Sequence, residues 1–357
     1  MRPISALLLL LASMSAAQAE ADHAAIAQAS LTQVIRPGYA KLAEQAGALE
    51  DKAETLCRSP SAAAFETAKS AFAATVAAWS KVEIIRFGPV TEDHRYERLF
   101  YWPDPKSIGL KQVQAALAKR DEAVTRPDEL AAKSVALQGL PALEYLLYGD
   151  GAEALGKSKG EGTFRCAFAV AVAGNIDRIA KSVMEAWRGG AAYEQSFLGP
   201  AADDPHYRSP KEVVLDLFKA LTSGIELVRD QKLGKPLGAS PAEARPKLAA
   251  FWRSGLVFDN AAGNLEGVRA LFTQGGFAEV VAQESAGVEG SVLFDLDHAL
   301  EVLRGSKQPM TEIVADGGLR ARIEALRVSL KSAAQTAGDL IARGASLAFG
   351  FNAMDGD

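Results

Sequence analysis

Leu137-Gln138-Gly139-Leu140-Pro141-Ala142-Leu143-Glu144-Tyr145-Leu146-Leu147-Tyr148-Gly149 is an apolar, helix-forming run with a single carboxylate set into its greasy side. At 3.6 residues per turn, Leu137, Leu140, Glu144 and Leu147 share one stripe, so Glu144 points where the core should lie. A charge there is costly unless it is paired, protonated or bound to something. Glu144 is therefore the first candidate for function.

The same helical period extends outward from this run. Alanine and leucine are abundant, β-branched runs are short, and apolar residues recur at spacings of three and four, which predicts an all-α chain. Helices are expected over 22–56 (perturbed at Arg36-Pro37-Gly38), 61–87, 109–119, 127–148 and 165–188. A second set is expected over 210–230, 242–272 (broken near Ser254-Gly255), 277–284, 288–303 and 319–342. The polar, Pro-containing stretch 199–209 is the natural boundary, giving one helical bundle over 20–200 and another over 201–357, packed side by side. Leu137-Gln138-Gly139-Leu140-Pro141-Ala142-Leu143 aligns without gaps on Leu265-Glu266-Gly267-Val268-Arg269-Ala270-Leu271, which suggests an internal duplication.

Two further stripes carry polar residues into apolar company. Phe65, Phe72, Val76 and Trp79 line one face of the second helix, and the same line continued delivers Glu83 and Arg86. Asn260 and Asn264 lie on a stripe with Val257, Val268 and Leu271, where asparagines need hydrogen-bond partners; Arg253 joins it if the helix runs through Gly255. The bland arrangement is a buried Glu144–Arg86 ion pair that fixes helix register. The functional one is a polar cleft between the bundles, with Glu144 as ligand or polar anchor and Arg86 as its counter-charge. Glu83, Asn260 and Asn264 would line that cleft, and Trp79 would form its apolar wall.

Arg2, an apolar run over 4–11 and Ala17-Gln18-Ala19 form a signal-peptide pattern over residues 1–19, placing the mature chain in the periplasm. No later apolar run approaches transmembrane length. The formal net charge of −5 argues against a nucleic-acid partner. In an oxidising compartment the two cysteines, Cys57 and Cys166, are expected to form one disulfide.

Gly139, Glu144 and their flanking leucines resemble the imelysin family, the M75 peptidase-like proteins of bacterial envelopes, whose motif reads Gly-x-His-x-x-Glu. The resemblance runs in order through Trp79, Arg86-Phe87-Gly88-Pro89, Tyr101-Trp102-Pro103-Asp104, Lys232-Leu233-Gly234-Lys235-Pro236-Leu237-Gly238, Asn260 and Asn264 before Gly267, and Gly350-Phe351-Asn352. It implies two helical bundles and a non-catalytic binding or accessory role in periplasmic iron or metal acquisition. The implied partners are iron, another divalent metal or a small chelate, with Glu144 as the candidate metal ligand.

The resemblance also offers a zinc peptidase as an alternative, and an envelope protein-interaction module without a small-molecule site is a second. A catalytic zinc wants three protein ligands, usually with histidine among them, and an open position for water. Here the motif histidine is replaced by Pro141, which has no donor atom, so the balance leans away from an enzyme. Four histidines exist. His23 reads as part of a frayed terminus, His94 and His206 lie in acidic loops, and His298 with Glu301 falls opposite the leucines of its helix, facing water.

Overall fold

The computed structural model describes residues 23–157, 160 and 162–347. The signal-peptide pattern and Gly350-Phe351-Asn352 lie outside the described residues. Among the described residues every regular element is a helix, and no helix is long and apolar enough to cross a membrane. Ten helices position the site: α1 (Arg36–Arg58), α2 (Ala62–Val82), α3 (Arg95–Leu99), α4 (Ile108–Lys119), α5 (Leu140–Tyr148), α6 (Gly162–Ala186), α7 (Pro210–Glu226), α8 (Val257–Gln274), α9 (Val288–Gly305) and α10 (Gly317–Gly344).

In the N-terminal half, α1 packs against both α2 and α6. Its apolar face (Tyr39, Leu42, Ala46, Leu49, Ala53, Leu56) is buried at heptad-like spacing. Ser61 starts α2 by accepting a hydrogen bond from the Ala64 amide at 3.1 Å, the interaction a serine cap supplies. Cys57 and Cys166 are joined as a disulfide that ties the end of α1 to the start of α6. In the C-terminal half α8 packs against α7 and α9, and α10 packs against α7 and α9 in turn. The halves meet along α2 and α8, and one contiguous apolar core runs through both.

Glycines set that seam. A Cβ on Gly267 would lie 2.2 Å from the Lys81 carbonyl oxygen, and one on Gly263 2.5 Å from the Ser80 Cβ, so α8 approaches α2 only because both positions lack side chains. Gly139, which the proposed duplication places in register with Gly267, likewise faces a carbonyl, Leu99 O, at 2.3 Å. The two backbones differ, however: Gly139 is the extended residue ahead of α5, whereas Gly267 lies inside α8.

Three boundaries depart from the sequence expectation. The helix expected over 127–148 is broken: a short helix (Pro127–Ala131) and a 3-10 turn (Val135–Leu137) precede α5. Ser134 and the extended Gly139 interrupt it, and Pro141 sits in the first turn of α5, where the amide it lacks would have had no helical partner. Pro141 therefore does not kink a continuous helix. The helix expected over 242–272 begins only at Val257, because Gly255 takes φ +76° and Phe251 φ +57°. The disturbance expected at Arg36-Pro37-Gly38 appears as a π-helical turn (Ser30–Ile35) feeding α1, and a second such turn (Leu227–Gly234) extends α7. His23 is not frayed: it is buried, with Nε2 2.7 Å from the Ala345 carbonyl oxygen.

Candidate functional site

The polar residues singled out by helical periodicity fall into three adjoining groups rather than one cleft. At the α2–α8 seam, Glu83, Asn260 and Asn264 are all fully buried, and Glu83 and Asn260 share a partner that periodicity did not indicate, Lys232. The Lys232 Nζ lies 2.7 Å from Glu83 Oε1 and 2.9 Å from Oε2, and donates to Asn260 Oδ1 at 2.5 Å. Asn260 Nδ2 donates to Ser80 Oγ at 2.7 Å and to Glu83 Oε2 at 3.1 Å; Asn264 Nδ2 donates to the Ser80 carbonyl at 2.7 Å and to Glu83 Oε2 at 3.0 Å. Burial pushes the Lys232 ammonium down to about 8, against the pull of Glu83. This group is a buried ion pair with amide supports, and Asn264 Oδ1 is left in it without a hydrogen-bond partner. It pins the π-helical turn after α7 to α2 and α8.

The aromatic segment Phe100-Tyr101-Trp102 lies directly over it. Lys232 Nζ sits 5.0 Å from the Phe100 ring centre and 4.8 Å from that of Trp102. The Trp102–Pro103 peptide is cis, and the Trp102 indole donates to the Leu248 carbonyl at 3.1 Å. The segment contributes to both of two cavities and so partitions them.

The first cavity, of about 480 Å³, lies between the end of α2, the segment 96–103 and α7. Its walls include Ile84, Phe87, Tyr96, Phe100 and Trp102; its charged lining is Arg86 set among the rings, Glu97, and on α7 Lys219 paired with Asp216 at 3.6 Å. Arg86 is accessible to the cavity; its guanidinium lies over the Tyr96 ring at 4.8 Å and donates to the Tyr96 hydroxyl at 2.5 Å. Among the described residues no carboxylate forms an ion pair with it. Trp79 lines neither cavity: it is fully buried behind Tyr96 and Phe100, with ring centres 5.3 and 6.0 Å away.

The second cavity, of about 160 Å³, holds Glu144. Glu144 is 4% exposed, and its Oε1 accepts from the Ser254 amide at 2.9 Å and the Ser254 hydroxyl at 2.8 Å. Burial raises its pKa, opposed by the Ser254 hydrogen bonds and by nearby Arg253. The expected Glu144–Arg86 pairing does not form: Arg86 is given to Tyr96 and Glu144 to Ser254, each on its own side of the aromatic partition. Arg253, expected on the Asn260 stripe, leaves it because the helix starts after Gly255; its guanidinium stacks on Trp252 at 4.3 Å and Tyr145 at 5.4 Å.

The imelysin family model matches residues 35–337. The chain belongs to the imelysin family. Two solved structures share the fold: an imelysin-like protein from Psychrobacter arcticum (TM-score 0.76, 19% identity, covering 93% of this chain and 98% of that one) and a protein described as an iron-regulated protein A precursor from Parabacteroides distasonis (TM-score 0.75, 12% identity, covering 90% and 95%). A curated relative, iron-regulated protein A of Synechococcus elongatus, is 23% identical over 213 residues, which is 59% of this chain and 54% of the relative. The chain thus spans about half the length of the curated relative it matches.

The peptidase name attached to this imelysin model implies a zinc ion, and the residues around Glu144 do not fit one. Pro141 lines the same cavity as Glu144, so the histidine of the motif would stand in this space, but proline offers no ligand atom. The other carboxylate there, Asp104, is committed to the start of α4: its oxygens accept from the amides of Ile108 at 2.7 Å, Gly109 at 2.9 Å and Leu110 at 3.3 Å. Arg253 and Lys247, both lining the cavity, add repulsion for a cation. His94, His206 and His298 are exposed, and His298 stacks on the exposed Phe294. Among the described residues no three His, Cys, Asp or Glu side chains are grouped to hold a metal.

Proposed function

We propose that this imelysin-family chain is an exported, non-catalytic binding protein that handles iron, or another metal, as a small anionic chelate in the periplasm. The ligand is seated in the Arg86 cavity between the two halves. One observation carries the proposal: an accessible guanidinium without a carboxylate partner faces an aromatic-lined cavity of about 480 Å³, within the range of small-molecule sites. Arg86 presents forked donors suited to a carboxylate or chelate oxygen, while the rings of Phe87, Phe100 and Trp102 cover apolar or π faces. The names of the Synechococcus and Parabacteroides relatives support iron as the metal. The donor set favours a metal arriving with its own oxygen ligands, since Glu83 is already engaged by Lys232 and the two asparagines.

Titration calorimetry with iron(III) citrate tests this reading. Wild-type protein should bind, and Arg86→Ala should weaken binding by about tenfold or more, the scale of one lost charge-assisted hydrogen bond. An Arg86→Ala variant that binds equally well, or wild type that does not bind, refutes it.

A further inference from the structure

Away from both cavities, α1 and α6 pass close to each other with a carboxylate from each inserted against a glycine of the other. A Cβ on Gly174 of α6 would lie 2.7 Å from Glu50 Oε1 of α1, and a Cβ on Gly47 of α1 would lie 3.2 Å from Asp177 Oδ1 of α6. The arrangement is reciprocal in sequence: Gly47-Ala48-Leu49-Glu50 and Gly174-Asn175-Ile176-Asp177 each place a glycine one helical turn before an acid. Two glycines in helix interiors cost stability, and here their absent side chains make room for oxygen atoms rather than for a neighbouring helix backbone.

Asp177 is only 5% exposed, yet its Oδ1 is buried without any hydrogen-bond partner, while Oδ2 is 2.6 Å from Lys181 Nζ. An unpartnered carboxylate oxygen in that environment is expensive. The surrounding charge is acidic: Asp177, Glu54 and Asp51 all push the Glu50 pKa up, after burial itself, and only Lys181 pulls it down. Lys181 is a poor permanent counter-charge because its side chain is 57% exposed and free to swing into solvent.

We propose that Glu50 and Asp177 form a binding site for a hard divalent cation between α1 and α6. Asp177 Oδ1 and the Glu50 carboxylate supply the protein oxygens, Lys181 is displaced, and water completes the shell. Two carboxylates with water are what calcium or magnesium accepts, and so sparse a ligand set places affinity on the order of 10⁻⁴–10⁻³ M. The site is independent of the chelate proposed for the Arg86 cavity and shares no residue with it.

The test is the thermal midpoint of the full chain at neutral pH, titrated with calcium chloride against sodium chloride at matched ionic strength. Wild type should show a saturable rise specific to calcium. Glu50→Gln and Asp177→Asn should begin at or above the wild-type midpoint, since each removes a repelled carboxylate, and should lose the calcium response. Gly174→Ala, which keeps both acids but forces Glu50 aside, should weaken apparent calcium affinity by about tenfold or more if carboxylate placement matters. Equal responses to calcium and sodium in wild type, or a calcium response retained in both acid variants, would overturn the proposal. The metal-free midpoint of each variant reports its folding separately, so a variant that fails to fold is replaced by the other acid variant.

Discussion

Replacing Lys232 with methionine tests whether the seam between the halves depends on its buried ion pair. Methionine keeps most of the stem and its contact with Phe100 and Trp102 but removes the ammonium, which now touches both Glu83 oxygens and Asn260 Oδ1. Glu83 would be left fully buried with only the two asparagine amides as donors, at 3.1 and 3.0 Å. Removing one partner of a buried pair strands the other charge and costs about 3–5 kcal/mol. Removing both is far cheaper, so Lys232→Met combined with Glu83→Gln should recover most of that loss, to within about 1.5 kcal/mol of wild type. Equilibrium urea denaturation of the four proteins of the cycle reads these values directly. If Lys232→Met alone stays within about 0.5 kcal/mol of wild type, as an ordinary surface substitution would, the pair does not hold the seam. A double variant no better than the single would equally refute the reasoning.

Three further outcomes follow from the same geometry. Glu144→Gln retains an Oε1 able to accept both Ser254 hydrogen bonds while removing a buried charge, so it should raise stability at neutral pH. Because the folded-state pKa of Glu144 lies above 4.5, wild-type stability falls as pH rises through that window, and the gain from glutamine should fade as pH is lowered towards 4.5 in pH-dependent unfolding; a constant gain would contradict this. Gly267→Ala drives a methyl group to 2.2 Å from the backbone oxygen of Lys81, which cannot rotate away, and should cost about 3 kcal/mol or more in denaturant melts, at or beyond the upper end of ordinary overpacking. Replacing both Cys57 and Cys166 by serine frees a loop of 109-residue separation and should cost on the order of 4–5 kcal/mol by the chain-entropy account, read as a lowered urea midpoint.

The helical fold was legible because apolar spacing at three and four is maintained through every long element, and α1, α2, α6 and α10 lie close to where periodicity puts them. The disulfide was legible from the cysteine count and the expected oxidising compartment, and the burial of Glu83, Asn260, Asn264 and Glu144 from their stripes. Partner assignment was not legible. Lys232 lies in a π-helical turn, where a 3.6-residue wheel loses register, and a lysine in a polar run reads as surface. Glu144 and Arg86 looked like complements because both approach the core, yet Phe100-Tyr101-Trp102 stands between their cavities, and only tertiary packing places that segment there. Ser254, the actual partner of Glu144, is brought to it by the left-handed residue Phe251 and by Gly255, in the stretch where periodicity suggested an interrupted helix.

Native mass spectrometry with metal analysis, on protein isolated from its own host without denaturation, addresses the central claim most directly. Wild type should carry a small adduct containing iron or another metal together with its organic ligand, and Arg86→Ala isolated in the same way should have lost it while remaining folded. A bare polypeptide mass for wild type from metal-replete cells, or an adduct untouched by the loss of Arg86, would contradict the account.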